Sequence, residues 1–550
     1  MEKDMSFAHV EHAPSPARTD SNEPVKTVAE KELEVANVDY AEAVKGLTPW
    51  LPGYLKLYCA LALIALASTM NGYDGSLMGS INALPAYTNY YGLSKSGSAS
   101  TGIVFAIFNV GQMVGALFVW IADWQGRKLG IFVGCVGVCV GAVVTATSPT
   151  LGGFIGGRFL LAFFSSIATT AAPLILIEIA PPQYRATVSG IYNTLYYLGS
   201  ILASCTVYGT FRSTALAGTL ASWRIPLWVQ LICPGLVAVG VYFVPESPRW
   251  LIAKGRVEEA RAFIINYHAN GDPNHPIVRL QMAEMEHAIA TEGMASWNTI
   301  FDLRDMFKSR NRRYRMMLNV AFSWFGQFSG NNVVSYYLPL LVENVGITDT
   351  GTKLILNIIY AVTGWIFATM GAFLHDRVGR RKMFLCATAG MAVCLAITAG
   401  TAAGFVNTGS KTSSSASIAF IYIFGCVFAI GFTAMQPVYP GEVMTNDMRA
   451  KGMAIFQLTA GTAGFVNTFA APIALANIGY WFYVFFVFWD VFEFAFIYFF
   501  FVETKGRTLE ELHEVFEAEN PRKASTATRV VRQRIVVDRK GNEREVVEVV

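Results

Sequence analysis

Residues 354–410 read LILNIIYAVTGWIFATMGAFLHDRVGRRKMFLCATAGMAVCLAITAGTAAGFVNTGS. The stretches on either side of the charged segment, Leu354–Leu374 and Met383–Ser410, contain no Asp, Glu, Lys or Arg. Each is at least as long as the roughly 20 residues that an α-helix needs to cross the hydrocarbon core of a bilayer. The segment therefore predicts two transmembrane helices joined by a short charged turn.

Comparable stretches recur along most of the chain. The other uncharged stretches are 96–122, 129–157, 186–211, 225–245, 316–342, 412–441 and 452–489. Two more apolar spans carry a single charge each, Asp74 in 57–84 and Arg158 in 151–177, and 452–489 is long enough to break into two helices at 477–479. The pattern predicts an all-α polytopic membrane protein with twelve transmembrane helices. The composition agrees, since only 15% of the residues are charged, against about 25% in soluble domains.

Basic residues are distributed unevenly between the predicted loops. The formal net charge is only +3, but most of the 42 Lys and Arg residues fall in alternate loops. This bias predicts that both termini are cytosolic. The basic clusters border membrane spans, which argues against nucleic-acid binding. All eight cysteines lie inside predicted spans, so no disulfide framework is indicated.

The longest hydrophilic interruption separates six predicted helices from six. We expect short helices within it, lying at the membrane surface, because its apolar residues form a narrow stripe at helical spacing. The predicted divisions are a disordered cytosolic tail (1–53), an N-terminal half (54–245), a cytosolic linker (246–315), a C-terminal half (316–502) and a cytosolic tail (503–550).

The two predicted halves repeat the same motifs at a nearly constant offset. The segment Asp123–Lys128 recurs as Asp376–Lys382, and the pair Glu178 and Arg185 recurs as Glu442 and Arg449. Each motif follows the helix of the same ordinal number in its half, which indicates duplication. A substrate site is then expected between the halves near the bilayer midplane, with alternating access by rocking of one half against the other.

Charged residues of these motifs lie at the cytosolic ends of the predicted helices. We predict that they form a cytosolic latch, which stabilises the outward-open state and separates when the cytosolic side opens. The alternative is a topology signal with exposed ion pairs, each worth less than about 1 kcal/mol. The latch residues are Asp123, Arg127, Glu178, Arg185, Glu246, Arg249, Asp376, Arg377, Arg380, Glu442, Arg449 and Glu503.

The seventh predicted helix carries a stripe of polar side chains. Gln327 and Asn331 share one face at helical spacing, as do Asn332 and Tyr336. Amides suit sugar hydroxyls because each offers donors and an acceptor, whereas an anionic substrate would require Arg or Lys. The alternative is that these amides hydrogen-bond neighbouring helices. Four polar groups in one span favour a binding site.

Together these motifs resemble the sugar porter branch of the major facilitator superfamily over roughly residues 50–512. The residues that carry the resemblance are Gly157–Leu160, Pro245–Arg249, Gln327–Asn332 with Tyr336–Tyr337, Asp376–Arg381 and both Glu–Arg pairs. A narrower resemblance, to fungal lactose permeases and cellodextrin transporters, rests on Asn71–Met78, Glu178–Pro182, Gly271–Asn274 and Glu503–Glu510. The resemblance implies a plasma-membrane sugar uptake protein with the major facilitator fold, functional as a monomer and acting on a sugar such as lactose or cellobiose.

The resemblance also implies site residues, and some positions depart from it. It adds four candidates to the helix 7 group, namely Asn193, Trp365, Gln457 and Asn467. Small or unusual residues stand where sugar porters commonly have larger polar or aromatic ones: Gly326, Gly364, Pro437, Ala460 and Gly461. These smaller residues are expected to make room for the second ring of a disaccharide.

Asp74 and Arg158 are the expected proton-coupling pair. An ionised carboxylate facing lipid would cost roughly 2.5 to 3.5 kcal/mol, so Asp74 should face the interior with a partner or bind a proton. Arg158 is the only basic residue within an apolar span of the same half. Sugar porters that couple to protons share such a pair, but some facilitators retain it. A structural ion pair is the alternative. Asp490 and Glu493, in the last span, are expected to pair within the C-terminal half or to be protonated.

Two classes of function remain open. One is a solute carrier, with sugar:proton symport favoured over facilitated diffusion of a hexose or polyol; the other is a nutrient sensor on the same fold. Gly404–Thr412 approaches a phosphate-binding loop, but its Lys is one position late and it lies in a predicted outer loop. We therefore expect no enzymatic activity, no metal and no cofactor, with a proton gradient as the driving force and sugar, protons and the bilayer as the partners.

Overall fold

The computed structural model describes residues 47–93, 99–118, 121–181, 184–292, 304–436, 438–505, 512, 515–526, 531–537 and 543–549. Most of the predicted N-terminal tail lies outside these residues.

The N-terminal half consists of long helices with short connections. Its helices are α1 (Pro52–Ile81), α2 (Pro85–Tyr90), α3 (Ala99–Ala116), α4 (Ile121–Trp124), α5 (Arg127–Thr147), α6 (Leu151–Ile179), α7 (Arg185–Arg212), α8 (Ala221–Val229) and α9 (Ile232–Gly240), followed by a 3₁₀ turn at Val241–Phe243. Local signals set the ends: the Thr150 side chain accepts from the backbone N–H of Gly153 and caps α6.

The linker contains the expected short helices. They are α10 (Pro248–Ala253), α11 (Val257–Phe263), a π-helical turn (Ile264–His268) and α12 (Pro276–Glu292). They dock on the N-terminal half through His268, which is 1% exposed. Its Nε2 lies 3.0 Å from the carbonyl oxygen of Ile179 at the end of α6, and its Nδ1 lies 2.7 Å from Oε1 of Gln281 in α12.

The C-terminal half repeats this plan with two interrupted helices. After a 3₁₀ turn at Arg304–Phe307 come α13 (Arg310–Phe328), α14 (Asn331–Asn344), α15 (Thr350–Val378), α16 (Arg380–Thr408), α17 (Lys411–Gly431), a 3₁₀ turn (Thr433–Met435), α18 (Val438–Val443), α19 (Asn446–Ile478) and α20 (Trp481–Phe500). The predicted break between the last two spans is confirmed, because Gly479 turns the chain with φ of 53°.

Among the described residues, nine helices are long and apolar enough to cross a membrane. The other expected spans are α3, which is shorter, α7, which is more polar, and the pair α13 and α14, which Gly330 interrupts. The all-α prediction is thus confirmed for the membrane part. The carboxy-terminal tail adds α21 (Pro521–Thr526) and an antiparallel pair of strands, β1 (Val531–Val537) and β2 (Glu543–Val549), which the sequence analysis did not predict.

The ends of the helices define two sides of the bundle. We call the side with the linker helices and the start of α1 the linker side, and the opposite side the distal side. Helices α1, α3 and α7 of the N-terminal half pack against α14, α15 and α19 of the C-terminal half. The surface between these helices is the seam at which a substrate site was expected.

Candidate functional site

Gly330 positions the amides of the seventh span. Its φ of 93° is left-handed, which a glycine adopts without strain, and it separates α13 from α14. Asn332 Nδ2 then donates to Gln327 Oε1 across the break at 3.0 Å, and Asn467 Nδ2 of α19 donates to the Gln327 carbonyl oxygen at 2.9 Å. Three of the predicted site residues therefore form one cluster.

Asn193 bridges the two halves. Its Nδ2 donates to the carbonyl oxygen of Thr433 at 2.6 Å, and Tyr197 OH lies 3.3 Å from Thr433 Oγ1. Thr433 opens the 3₁₀ turn between α17 and α18, and this interruption of the helix brings its backbone carbonyl and its hydroxyl to α7. The seam is therefore polar where α7 contacts this 3₁₀ turn.

The remaining predicted binding residues have different surroundings. Asn331 Oδ1 accepts a bond from Ser335 at 3.4 Å, and the ring of Tyr336 packs 5.8 Å from Phe105 of the opposite half. Trp365 is 38% exposed and Gln457 is also exposed. Among the described residues, no hydrogen bond joins these last two side chains to the Gln327 cluster.

The expected extra space at the small residues is absent. A Cβ added at Gly364 would lie 2.5 Å from Cε1 of Tyr197, and one at Gly461 would meet the side chain of Met113. A Cβ at Gly326 would lie 3.1 Å from Nε2 of Gln436. Side chains from facing helices therefore fill the places that these three glycines leave open, so in this conformation Gly326, Gly364 and Gly461 do not make room for a second sugar ring. Pro437 lies outside the described residues.

Asp74 lies inside the N-terminal half, as predicted, and is 0% exposed. Its Oδ1 accepts a hydrogen bond of 2.8 Å from Nε2 of Gln230, which follows the end of α8. Its Oδ2 is buried without a hydrogen-bond partner. Sequence reasoning missed Gln230, although an amide within a charge-free span was a visible signal.

Arg158 lies beside Asp74 but does not bond to its carboxylate in this conformation. The Nη1 of Arg158 donates to the backbone carbonyl oxygen of Asp74 at 3.3 Å, and the guanidinium lies 5.0 Å from the ring centre of Phe108. The Nε of Arg158 is buried and unpartnered. The two predicted residues are therefore adjacent, but the side-chain ion pair is not formed.

A second polar contact closes the seam toward the distal side. Asn357 of α15 donates through Nδ2 to Ser80 Oγ at 2.7 Å and to Ser204 Oγ at 3.3 Å. All three side chains are buried, with exposures of 5%, 0% and 1%. Nearer the linker side, Asn109 of α3 donates to Thr468 Oγ1 of α19 at 3.1 Å. Sequence reasoning missed this distal contact because single Asn and Ser residues in apolar spans carry no motif.

The predicted latch residues form ion pairs within each half. Arg127 Nε lies 3.1 Å from Glu178 Oε2, and Arg380 Nη2 lies 2.9 Å from Glu442 Oε1. Both pairs coexist with the closed distal contact of Asn357. Each pair joins two elements of one half, and the expectation that the pairs separate when the linker side opens stays a prediction.

Two carboxylates complete this repeated arrangement. Glu503 accepts from the backbone N–H groups of Arg380 and Arg381 at 2.8 and 3.1 Å, at the start of α16. Glu246 accepts from the N–H of Lys128 at 3.4 Å, at the start of α5. A carboxylate at a helix N-terminus satisfies free N–H groups and the positive end of the helix dipole. The two halves thus use the same cap.

Glycines make these caps possible. Gly126 and Gly379 have φ of 111° and 112°, and an added Cβ would lie 2.5 Å from Glu246 Oε2 or 2.6 Å from Glu503 Oε2, respectively.

Of the other latch candidates, Arg249 and Arg377 are exposed, and Arg185 Nε donates to the carbonyl oxygen of Ala180. The side chains of Asp123, Asp376 and Arg449 lie outside the described residues.

Asp490 and Glu493 are both fully buried in α20. Glu493 Oε1 accepts a hydrogen bond from Trp489 Nε1, and the other three carboxyl oxygens have no partner. Among the described residues, no basic side chain forms a salt bridge with either group. The expected ion pairing within the C-terminal half is not observed.

Comparison with known proteins agrees with this architecture. Residues 60–516 match the family described as "Sugar (and other) transporter". The MFS-type transporter oryC of Aspergillus oryzae is 30% identical over 86% of this chain and 87% of that protein. The high-affinity glucose transporter of Kluyveromyces lactis is 28% identical over 89% of this chain and 90% of its own length. The proton:xylose symporter XylE of E. coli, bound to 6-bromo-6-deoxy-D-glucose, superposes with a TM-score of 0.69 at 21% identity, covering 84% of this chain and 99% of that chain.

Proposed function

This chain belongs to the family of sugar (and other) transporters, a group of multi-pass membrane proteins rather than enzymes, and we propose that it is a sugar:proton symporter that works by alternating access. Its fold is that of the major facilitator superfamily. We further propose that it resides in the plasma membrane with its linker side facing the cytosol, in keeping with the basic residues on that side.

The observation that carries the proton-coupling proposal is the environment of Asp74. The carboxyl group is completely buried, holds an amide hydrogen bond from Gln230 and lies beside Arg158 without bonding to it. A carboxyl group that exchanges between an amide and a guanidinium partner can bind a proton in one state and release it in the other. Rearrangement of α1 against α6 between the two access states would supply that exchange.

The seam between the halves supports a neutral, hydroxyl-rich substrate. The described polar groups around Gln327, Asn332 and Asn193 are amides, hydroxyls and backbone carbonyls, which suit sugar hydroxyls. The close packing at Gly326 and Gly364 provides no argument for a disaccharide over a hexose. Replacing Gln327 by Ala should cost about 1 to 3 kcal/mol of binding, because it removes a bond to a neutral ligand and leaves pocket groups unmatched.

The test uses purified protein in vesicles with an imposed proton gradient and a panel of D-glucose, D-xylose, lactose and cellobiose. We expect uphill accumulation of at least one sugar and sugar-driven proton entry. Asp74→Asn should abolish both, while sugar counterflow partly survives. Asp490→Asn is the matched control, since it neutralises another buried carboxyl group away from Arg158 and should retain coupling.

Three other results would contradict parts of this proposal. Proton entry that persists in Asp74→Asn contradicts the coupling role of this residue. Sugar equilibration without proton entry in the unmodified protein indicates a facilitative hexose or polyol carrier. Sugar binding without any flux indicates a nutrient sensor on the same fold.

A further inference from the structure

Gln436 lies at the interruption between α17 and α18, directly after the 3₁₀ turn that begins at Thr433. Residues three apart in a 3₁₀ turn lie on the same face. Thr433 faces Asn193 and Tyr197 of the opposite half, so Gln436 is placed along the same seam, one turn nearer the linker side. It is half-buried.

The Gln436 side chain reaches α13 because residue 326 is glycine. Gly326 is buried, and a Cβ there would lie 3.1 Å from Nε2 and 3.8 Å from Cδ of Gln436. A contact of 3.1 Å is tighter than ordinary carbon packing, so a larger side chain at 326 would displace the amide. The next residue along the chain is Gln327, whose amide belongs to the cluster with Asn332 and Asn467.

The amide of Gln436 has no hydrogen-bond partner among the described residues, unlike those of Gln327 and Asn332. A primary amide offers two donors and an acceptor, and because Gln436 is only partly buried these groups are accessible to a ligand. A second group nearby is also unpaired: Oδ1 of Asn467 is buried without a partner, and Asn467 is only 2% exposed. The two groups flank Gly326 and Gln327, from α17–α18 and from α19.

We propose that Gln436 is a substrate-contacting residue, and that its amide occupies the place beside Gln327 that Gly326 leaves open. Gly326 and Gln436 then act as one unit: the glycine on α13 admits an amide supplied by the interrupted helix of α17 and α18. The residue selects for sugars with a hydroxyl group that can pair with this amide. The proposal rests on the proposed sugar transport function and extends it to a residue outside the sequence-predicted site.

The main experiment measures half-saturation of uptake in vesicles for those sugars of the panel D-glucose, D-xylose, lactose and cellobiose that are transported. Gln436→Ala should raise half-saturation about tenfold, the equivalent of one lost hydrogen bond. The double variant Gly326→Gln with Gln436→Ala returns an amide to the same place from α13, and should recover most of this loss. Asn477→Ala is the matched control, because that amide bonds only to its own helix at the distal end and is exposed.

A labelling experiment tests the same contact without relying on transport rates. Thiol modification of Gln436→Cys should slow several-fold when the transported sugar is added, whereas modification of Asn477→Cys should not change. Unchanged half-saturation in Gln436→Ala together with unprotected labelling of Gln436→Cys overturns the proposal while leaving sugar transport intact. Absence of sugar uptake by the unmodified protein overturns the proposed function itself, and this inference with it.

Discussion

Replacing Asn357 by Ala should open the distal side of the protein. The Asn357 amide donates to Ser80 at 2.7 Å and to Ser204 at 3.3 Å, and these partners belong to the opposite half. The bonds can therefore exist only while the distal side is closed. Removing the amide takes them away from the closed state and leaves two buried hydroxyl groups with fewer partners.

The size of the effect follows from the burial of the three groups. A buried hydrogen bond contributes about 1 kcal/mol net, and leaving a buried polar group unpaired costs about 1 to 3 kcal/mol. The Ser80 and Ser204 hydroxyls lie 3.4 Å apart and can still bond to each other, so the lower part of this range applies. We expect a shift of about 1.4 kcal/mol, which is a tenfold change in the ratio of distal-open to distal-closed molecules.

Spin labels on the two halves report this ratio directly. Thr214 and Thr348 are exposed residues near the distal ends of the N-terminal and C-terminal halves, and cysteines introduced there, after replacement of the native cysteines, allow a distance distribution to be measured. Asn357→Ala should increase the population at long distance, and Asn477→Ala should leave it unchanged. Adding Ser80→Ala to Asn357→Ala should have little further effect, because the bond is already lost. A distribution for Asn357→Ala that matches both the unmodified protein and the control would refute the reasoning.

Three further predictions concern features outside the seam. Gly379→Ala should lower the free energy of unfolding by about 1 to 3 kcal/mol, because residue 379 has φ of 112° and ψ of 148°, and an added Cβ approaches the capping Glu503 carboxylate. Melting experiments measure this loss, and Gly409→Ala, at a left-handed residue with open space around it, gives the effect of left-handed backbone strain without a collision. Burial lowers the pKa of His268 in the linker below its usual 6.5, so the unfolded chain binds a proton more readily and stability should fall as pH drops below about 6.5. Melting temperatures in detergent between about pH 7.5 and pH 5.5 should show this loss, and His268→Gln should flatten it; an equal slope in both proteins would exclude His268 as the cause. Asp490→Asn should maintain or raise the melting temperature because it removes a carboxyl group that is buried without a partner, and a marked loss of stability would instead reveal a required bond.

Much of the arrangement of charges on the linker side could be anticipated from repeated residues. The recurrence of Glu178 as Glu442 predicted equivalent roles in the two halves, and both carboxylates form an ion pair with an arginine at equivalent places. What the repeat did not reveal is which groups pair. A motif predicts that charged residues lie at helix ends. The partner of each charged group depends on the rotation of the neighbouring helices and on glycines that leave room for a carboxylate.

In the seam between the halves, by contrast, less could be predicted from the sequence. Helical spacing placed Gln327 with Asn331 and Asn332 with Tyr336, but the break at Gly330 instead joins Gln327 to Asn332 and leaves Asn331 to accept from Ser335. Gln436 and Asn357 were missed, since their neighbours are more than a hundred residues away or in the other half. The reading of Gly326 as empty space failed for the same reason: the side chain that fills the space comes from another helix.

The sequence by itself determined that this chain crosses the membrane many times, divides into two similar halves and places polar residues within otherwise apolar spans. Those properties follow from the length of the apolar stretches, the placement of charged residues and the internal repeat, all of which can be read from the sequence alone. Only the tertiary structure decided that Gln230 holds Asp74, that Arg158 contacts its backbone, and that Asn357 closes the distal side. Such contacts depend on helix rotation, on interruptions such as that at Gly330 and on the relative position of the halves, and packing across the whole bundle sets all three.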